Sequence, residues 1–342
     1  MREHEILNAF ASAGIRLGID RFQSFIEYIG NPTQFFPVIH VAGTNGKGSV
    51  VRILESVLTQ AGYRVGTYTS PHLQHINERI TINTQPIDDN ELDRLLRDCF
   101  EKSSVWSESE LGFKDDIPLT YFELLTAVSF IYFAQQKVEV AIVEVGLGGR
   151  FDATNIVTPL VSIIASIGLD HTELLGSNES SIAMEKAGII KQNRSVVTGY
   201  LSNEAMRTIR MIAMERSAAL YSLGQEISLH DQSEDFEVVF QGETYTNLSI
   251  PLLGSHQPEN AAISVAALSL IHEFFPVSQS ALRAGLQNVA YPGRMEWLGE
   301  DILIDCAHNE AGAIRLADYL RKLPRDRPRT MIFGASQGKD FR

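Results

Sequence analysis

Residues 41–50, VAGTNGKGSV, decide the fold class, because they have the composition of a phosphate-binding loop but not its usual spacing. The common loop is written G-x-x-x-x-G-K-[ST], with the hydroxyl residue directly after the lysine. Here Gly48 separates Lys47 from Ser49, and the first glycine of the pattern is missing. The stretch is therefore either a phosphate cradle of unusual spacing or a glycine-rich turn that carries a solvated lysine.

The segments on both sides of the loop predict a β-α-β unit. A short apolar run at 38–41 precedes the loop, and apolar residues follow at helical spacing over 50–61. A run at 64–68 predicts the next strand, so the sheet should be parallel. The start of the helix attracts anions, since its free N–H groups and its dipole face the ligand. This context favours the phosphate cradle, in which Lys47 adds a charge and Ser49 can touch Mg²⁺.

The α/β pattern continues along most of the chain. Residues 138–145 and 160–167 are rich in β-branched residues, as in strands buried on both faces. The polar stretch 103–116 predicts an exposed loop, and the alternation over 236–250 predicts an antiparallel hairpin at the edge of the sheet. We therefore predict an α/β fold of the P-loop type, in which helices flank a mostly parallel sheet.

The pattern restarts after Tyr291-Pro292-Gly293, so we place a domain boundary near Pro292. Strands at 301–305 and 330–333, with a helix at 310–323, predict a smaller Rossmann-like α/β domain over 292–342. With only about fifty residues, that domain is marginal for a core of its own. We expect it to be loosely held on the first domain, 1–291.

Composition excludes several classes of protein. The 342 residues carry a net charge of −13, which argues against a nucleic-acid surface. Only two cysteines occur, Cys99 and Cys306, so we expect a reduced compartment and no disulfide framework. The N-terminus does not resemble a signal peptide, and the most apolar helix candidate is interrupted by Glu123. These features predict a cytoplasmic protein without a membrane span.

Three side chains stand out beside the predicted strands. Glu144 ends a strand at the sheet edge where ligands gather, so it is a natural Mg²⁺ ligand beside a triphosphate, unless it is merely solvated in the next loop. His171 is an uncommon magnesium ligand and could equally be a loop histidine capped by Asp170. Lys186 lies on a predicted helix and, judged by spacing alone, would be solvated.

Two further polar residues admit structural explanations. Asn260 begins an alanine-rich helix after GSHQPE, where an asparagine most often caps the helix. Asp305 ends the strand at 301–305. Its carboxylate could reach a ribose hydroxyl or cap the next helix.

Ten motifs, in order along the chain, resemble the dihydrofolate synthase/folylpolyglutamate synthase family of the Mur ligase superfamily. In that family GTNGKGS is the phosphate loop, so the resemblance identifies residues 43–49 as a cradle and the extra glycine as the family's variant. The motifs are AGTNGKGS (42–49), YTSPHL (68–73), NERI (77–80), LTYFE (119–123), EVGLGGRFDATN (144–155), GLDHTELLG (168–176), EKAGII (185–190), HQPENAA (256–262), PGRME (292–296) and DCAHN (305–309).

The resemblance implies roles for the matching residues. Lys47, Lys186 and His171 would be catalytic, and Lys186 would be carbamylated, which makes it an anion able to face magnesium. ATP would be held by Gly43, Thr44, Asn45, Gly46, Lys47, Gly48, Ser49, Asn260 (adenine), Arg294 (phosphate) and Asp305 (ribose). Two Mg²⁺ ions would be bound by Ser49, Ser70, Glu144 and His171. The substrates would contact Gly14, Ile15, Arg16, Leu17, Arg79, Thr120, Tyr121, Phe122, Glu123, Phe151, Asp152, Ala153 and His308.

The family's reaction is an ATP-driven amide ligation. The resemblance implies that a monomer joins L-glutamate to dihydropteroate and to folates, with an acyl phosphate as intermediate and ADP and phosphate as products. The domains would be an ATP-binding catalytic domain, 1–291, and a C-terminal ligase domain, 292–342. Two alternatives stay open: a folylpolyglutamate synthase without dihydrofolate synthase activity, and a nucleotide-binding protein that does not catalyse.

The sequence departs from the family pattern in two respects. The family usually reads D-G-A-H-N-P where this chain has Asp305-Cys306-Ala307-His308-Asn309-Glu310. Family members also carry a fuller second domain, so we expect a truncated member with weak catalysis.

Overall fold

Strand β1 (Val38–Ala42), which leads into the glycine-rich loop, lies inside an eight-stranded sheet and is buried along its length. The computed structural model describes residues 16, 18–109, 119–232, 235–324 and 328–334. The other strands of this sheet are β2 (Val65–Tyr68), β3 (Ile80–Ile82), β4 (Gln85–Pro86), β5 (Val140–Glu144), β6 (Val161–Ile164), β7 (Ser195–Thr198) and β8 (Leu220–Ser222).

The sheet has the order β4-β3-β2-β5-β1-β6-β7-β8. Its six strands from β2 to β8 in that order run parallel, whereas β3 and β4 pair antiparallel at one edge. The carboxyl ends of β1, β5 and β6 therefore open at the same edge, where ligands bind in sheets of this type. The predicted mostly parallel α/β fold is confirmed.

Helices cover both faces of the sheet. In chain order they are α1 (Asp20–Tyr28), α2 (Lys47–Gln60), α3 (Asp89–Glu108), α4 (Tyr121–Gln135), α5 (Thr172–Leu175), α6 (Glu179–Ala187), α7 (Asn203–Glu215), α8 (Gln257–Leu270), α9 (Gln279–Gln287) and α10 (Glu310–Lys322). Helices α2, α8 and α9 share one apolar core with the sheet. Helices α1, α3 and α4 form a second core, and α6 and α7 a third. Because α2 is packed in this way, its N-terminus is held firmly beside β1.

Two smaller sheets complete the described structure. Strands β9 (Ile227–Gln232), β10 (Asp235–Phe240) and β11 (Glu243–Leu248) form an antiparallel sheet of their own. The hairpin predicted at 236–250 is therefore present, but its placement at the edge of the main sheet is wrong. Its first strand, β10, pairs instead with β9, the strand that follows β8 in the chain.

Beyond Pro292, strands β12 (Glu296–Leu298) and β13 (Ile302–Ile304) pair antiparallel, and α10 follows them. The described side chains of α10 include none that is buried. The strand predicted at 330–333 is wrong, since residues 328–334 form no strand and Met331 is 70 % exposed. Ile332 and Phe333 are also exposed, so the apolar side chains that predicted a strand here are not buried against a core.

Three boundaries also differ from the sequence predictions. The polar stretch from 103 to 108 continues α3 instead of forming a loop, because Ser103 and Trp106 face the core; residues 110–118 lie outside the described residues. Helix α2 begins at Lys47, earlier than its apolar spacing indicates. Helix α8 begins at Gln257, so Asn260 lies within the helix and is not its N-cap.

Candidate active site

The loop between β1 and α2 turns the start of α2 toward an open cavity. Gly46 precedes the helix with a left-handed backbone, φ 83°, which glycine adopts without steric cost. The helix begins at Lys47, so the N–H groups of its first turn lack helical partners. Ser166, beyond β6, fixes the loop: its Oγ accepts from the Asn45 amide (2.9 Å), and its carbonyl accepts from the Thr44 amide (2.9 Å).

The glycine that interrupts the common motif has a steric cause. A Cβ on Gly48 would lie 2.0 Å from the hydroxyl oxygen of Tyr291, closer than any real side chain approaches. A Cβ on Gly46 would lie 2.7 Å from Oδ1 of Asn260. Glycine at these two positions therefore leaves room for the side chains of Tyr291 and Asn260, which lie much later in the sequence.

Two lysines meet at one carbonyl of the loop. Lys47 Nζ donates to the carbonyl oxygens of Gly43 (3.0 Å) and Thr44 (3.2 Å). Lys186 Nζ, on α6, also donates to the Gly43 oxygen (3.0 Å). Lys186 is 4 % exposed, so it is not the solvated lysine that its spacing alone suggested. Burial, and then the charge of Lys47, lower the pKa of Lys186 to about 7. A large share of its amine is neutral near that pH.

Glu144 ends β5 as a buried carboxylate beside the loop. It is 4 % exposed, and its Oε2 accepts from the Ser70 amide at 3.3 Å. Burial raises its pKa, while the charges of Lys47 and Arg294 oppose that rise. A buried carboxylate with cations around it suits a metal or phosphate site, and this position is not the solvated loop glutamate of the alternative interpretation.

His171 lies in the loop after β6 and caps the short helix α5. Its backbone is left-handed (φ 49°), and its amide donates to Asp170 Oδ1 at 2.9 Å, as the capping alternative required. The imidazole is nevertheless 41 % exposed, with Nε2 3.9 Å from Asp170 and Nδ1 3.8 Å from Glu173. The His171 amide is therefore satisfied by Asp170, while the imidazole ring remains accessible from the cavity.

The donor set is sparse for a metal but fits magnesium. Among the described residues, no group of three or more His, Cys, Asp or Glu side chains is placed to hold a metal ion. Magnesium commonly takes one or two carboxylates and completes its shell with water and substrate phosphates. The carboxylate of Glu144 and the nearby hydroxyls of Ser49 and Ser70 satisfy that requirement.

The segment after Pro292 closes the other side of the cavity. Asp305 accepts from the amides of Met295 (2.9 Å) and Ala307 (2.8 Å), so it holds its own loop and does not cap α10. Arg294 places its guanidinium 5.2 Å from the centre of the Tyr291 ring. The imidazole of His308 is 55 % exposed, and its Nε2 lies 3.8 Å from Asp170.

In the predicted substrate segment 120–123, the polar side chains of Thr120 and Glu123 are bonded to other groups of the protein. Thr120 and Glu123 form a capping box at the start of α4, with bonds of 3.2 and 2.6 Å. Arg21 Nη2 donates to both oxygens of Glu123 at 2.7 and 2.6 Å. The T-x-x-E spacing is a helix-start signature, so the structural role of this pair was readable from the sequence.

The aromatic residues of that segment lie beside an arginine. Tyr121 stacks under the Arg79 guanidinium, 5.6 Å from the ring centre, and Arg79 Nε donates to His72 Nδ1 at 2.8 Å. Phe122 packs against Gly146, where a Cβ would lie 2.6 Å from the ring. This apolar and cationic surface therefore borders the glycine loop that follows Glu144.

Asp152 holds the same glycine loop from the other side. It accepts from the amides of Leu147 (2.9 Å) and Thr154 (3.0 Å) and is buried. Phe151 is 37 % exposed, and Ala153 is buried. Of the predicted segment 14–17, Arg16 is described and is part-buried, whereas Gly14, Ile15 and Leu17 lie outside the described residues.

One cavity of about 440 Å³ collects most of the predicted nucleotide and metal residues. Its lining includes Gly43, Thr44, Asn45, Gly46, Lys47, Gly48, Ser49, Ser70, Glu144, His171, Lys186, Asn260, Arg294, Asp305 and His308. The predicted substrate residues on 120–123 and 151–153, and Arg79, are not in this lining. Of these residues, Phe122 and Asp152 contact the glycine loop 146–148 that lines the cavity.

Sequence reasoning missed several residues of the site. Tyr291 fills the space at Gly48, and Asn309 bonds to Asn45 in the phosphate loop (3.0 Å) and to Asp170 (3.1 Å). Asn309 lies in the DCAHN motif (305–309), and this motif was the sequence feature that could have identified it as a site residue. Nothing in the sequence pairs Tyr291 with Gly48.

Comparison with known proteins agrees with this geometry. The model of the Mur ligase middle domain matches residues 41–268. A dihydrofolate synthase/folylpolyglutamate synthase of Bacillus subtilis (strain 168) is 37 % identical over 338 residues, covering 96 % of this chain and 77 % of the relative. A solved FPGS–AMPPCP–folate complex has a TM-score of 0.86 at 32 % identity, covering 95 % of this chain and 82 % of that one.

A structure of E. coli FolC in complex with DHPP and ADP has a TM-score of 0.85 at 35 % identity, covering 94 % of this chain and 74 % of that one. The fold and the phosphate loop define a Mur ligase. Within that class, the chain belongs to the dihydrofolate synthase/folylpolyglutamate synthase family. Within the part of the chain that the structure describes, no helix has the length and apolar character that a membrane crossing requires.

Proposed function

We propose that this chain is an ATP-dependent ligase that joins L-glutamate to dihydropteroate and to glutamylated folates, releasing ADP and phosphate. The observation that carries the proposal is the convergence of the phosphate loop, the buried Glu144 and the segment from Arg294 to Asp305 on one cavity. The names of the relatives, and the ADP, AMPPCP, folate and DHPP in the solved complexes, support the same reaction.

In the first half-reaction, an oxygen of the pteroate or folate carboxylate attacks the γ-phosphorus of ATP. The bond from that phosphorus to the β,γ-bridging oxygen breaks, and ADP leaves with its electron pair. Lys47 and the free amides at the start of α2 stabilise the negative charge on the transferred group. Lys47 must leave its bonds to the Gly43 and Thr44 carbonyls to reach a phosphate, so nucleotide binding replaces those two contacts.

In the second half-reaction, the glutamate amine attacks the acyl phosphate carbonyl. The C–O bond to phosphate breaks, phosphate leaves, and the amine proton passes to solvent or a nearby base. No nucleophilic side chain is needed, because phosphate is a good leaving group. His308 and His171 are exposed at the rim of the cavity, where they can meet the incoming amino acid.

We propose Glu144, Ser49, Ser70 and His171 as holders of two Mg²⁺ ions, which would neutralise phosphate charge when bound. We also propose that Lys186 is carbamylated. Its neutral amine can add to CO₂ with loss of a proton, since burial and Lys47 lower its pKa to about 7. The resulting anion would remove the unfavourable contact between two cations at the Gly43 carbonyl.

The chain would act as a cytoplasmic monomer, with its domains divided at 291/292. The free thiols of Cys99 and Cys306 support a reduced compartment, and the separation of β12, β13 and α10 from the main sheet supports the domain division.

Release of ADP with ATP, Mg²⁺, glutamate and either dihydropteroate or tetrahydrofolate tests the activity. The proposal expects turnover with both acceptors. Turnover with tetrahydrofolate alone would indicate the single activity. Bound ATP without ADP release in the presence of both acceptors would indicate a nucleotide-binding protein that does not catalyse.

A further inference from the structure

Tyr291 connects the boundary near Pro292 to the phosphate loop. Its hydroxyl, Cζ and Cε1 atoms lie 2.0, 2.6 and 2.9 Å from the position of a Cβ on Gly48. The ring therefore lies on the first turn of α2, at the end where the free amides point. The backbone of α2 cannot approach an aromatic ring this closely at any residue other than glycine.

The same ring supports Arg294. The guanidinium carbon lies 5.2 Å from the ring centre. Planar guanidinium groups stack favourably on aromatic faces. The Tyr291 hydroxyl also interacts with the guanidinium, since Arg294 opposes the rise that burial causes in the pKa of the Tyr291 phenol. Tyr291 therefore constrains Arg294 before any nucleotide enters.

The pair is close to the acidic centre of the site. Burial and the charge of Glu144 raise the pKa of the Tyr291 phenol, while the charge of Arg294 opposes that rise. The three side chains all line the nucleotide cavity.

The linker around the pair is tightly held. The Cys306 amide donates to the Gly293 carbonyl at 3.0 Å, and a Cβ on Gly293 would lie 3.0 Å from Cys306 Sγ and 3.2 Å from the Leu73 side chain. The backbone between Tyr291 and Arg294 thus has little freedom, and the aromatic ring restricts the side chain of Arg294 on one face.

We propose that Tyr291 is a positioning residue that holds Arg294 toward the phosphates of ATP, and that position 48 is glycine in order to admit the Tyr291 ring. The inference rests on the proposed function in one respect, namely that the cavity binds ATP. It assigns the linker a direct contact with the phosphate loop, so the placement of the segment after Pro292 and the binding of phosphate are coupled.

The first test removes only the hydroxyl. Tyr291→Phe keeps the ring on Gly48 but loses the interaction of the hydroxyl with Arg294, so the KM for ATP should rise roughly tenfold, with kcat changed by less than about twofold. Tyr63→Phe is the matched control: it deletes a hydroxyl bonded to the Pro276 carbonyl at 3.0 Å, outside the cavity, and should leave the KM for ATP unchanged.

A double-mutant cycle separates positioning from a structural role. If Tyr291 acts through Arg294, Tyr291→Phe should have no further effect on the KM for ATP in an Arg294→Ala background. Equal effects in both backgrounds, or an unchanged KM in Tyr291→Phe, would overturn the proposal. Thermal melting of each variant, compared with Tyr63→Phe, shows whether a loss comes from unfolding.

The steric half is tested at position 48. Gly48→Ala alone should abolish ATP binding. Adding Tyr291→Ala, which removes the ring, should restore at least part of that binding. An equally damaging Gly48→Ala in both backgrounds would show that the ring is not the cause. Failure of the wild-type chain to bind ATP would instead reject the proposed function, so the two failures are distinguishable.

Discussion

Asn45 and Asn309 exchange two hydrogen bonds across 264 positions of the chain. Asn309 Nδ2 donates to Asn45 Oδ1 at 3.0 Å, and Asn45 Nδ2 donates to Asn309 Oδ1 at 3.2 Å. Asn45 belongs to the phosphate loop, whereas Asn309 caps α10, where its Oδ1 also accepts from the Gly312 amide at 2.9 Å. Asn309 therefore connects the phosphate loop directly to the N-terminus of α10.

This amide pair gives the first prediction. Asn309→Ser keeps a hydroxyl that can cap α10 but removes the bonds to Asn45 and Asp170. We expect the KM for ATP to rise several-fold, while the melting temperature changes little. Asn309→Ala also removes the cap and should cost stability by about 1 kcal/mol in addition. A serine variant with the KM of the wild type would show that the contact has no part in nucleotide binding.

Lys186 supports a prediction of chemical rescue. Lys186→Ala should be inactive and should regain activity with added formate or acetate, because a small carboxylate can replace the carbamate. Lys47→Ala should also be inactive, but the same anions should not restore it, since Lys47 acts as a cation. Rescue of neither variant, together with a free amine at Lys186 in active protein at high bicarbonate, would contradict carbamylation.

The pH dependence of the modification follows from the same lysine. Burial and Lys47 lower the pKa of Lys186 to about 7, so the neutral amine predominates above that pH and is depleted below it. At a fixed concentration of dissolved CO₂, the initial rate at which ¹³CO₂ labels Lys186 should therefore rise from pH 6 to pH 8 and then level off. A rise that continues to pH 10 would indicate an ordinary, solvated lysine.

Glu144 should carry the magnesium requirement. Glu144→Gln keeps the shape and the bond from the Ser70 amide but removes the charge. The Mg²⁺ concentration for half-maximal activity should rise at least tenfold, or turnover should stop. Glu139→Gln is a suitable control, since Glu139 lies outside the cavity and its carboxylate accepts from the Arg64 amide. An unchanged magnesium dependence in Glu144→Gln would remove it from the proposed metal site.

Hydrogen exchange should differ between the two helices that border the cavity. The described side chains of α10 include none that is buried, whereas α2 is packed in the largest core. Amides of α10 should exchange far faster than those of α2, because local opening of α10 exposes little apolar surface. Saturating AMPPCP and Mg²⁺ should slow exchange in α10. Equal protection of both helices without ligand would contradict this difference.

The sequence predicted those parts of the molecule that local pattern determines. The loop between β1 and α2 and the strand that ends at Glu144 are each encoded within a few residues. The α/β fold follows from them, because successive β-α-β units pack in one way.

The parts that were missed depend on contacts between distant residues. The glycine at position 48 is explained by its contact with Tyr291, and the role of Asn45 is explained by its hydrogen bond to Asn309. The segment 103–108 looked like a loop by composition, but burial of Trp106 against Phe25, with ring centres 5.5 Å apart, keeps it helical. Local propensity carries no information about such partners.

The most direct test of the account follows one oxygen atom. Dihydropteroate labelled with ¹⁸O in its carboxylate is incubated with the chain, ATP, Mg²⁺ and L-glutamate, and the released phosphate is analysed by mass spectrometry. Because the carboxylate oxygen attacks the γ-phosphorus and later leaves with it, each released phosphate should contain one ¹⁸O, in equal amount with ADP and the glutamyl product. Lys47→Ala should release none above background. Glutamyl product accompanied by phosphate without ¹⁸O, or by AMP in place of ADP, would contradict the acyl phosphate pathway.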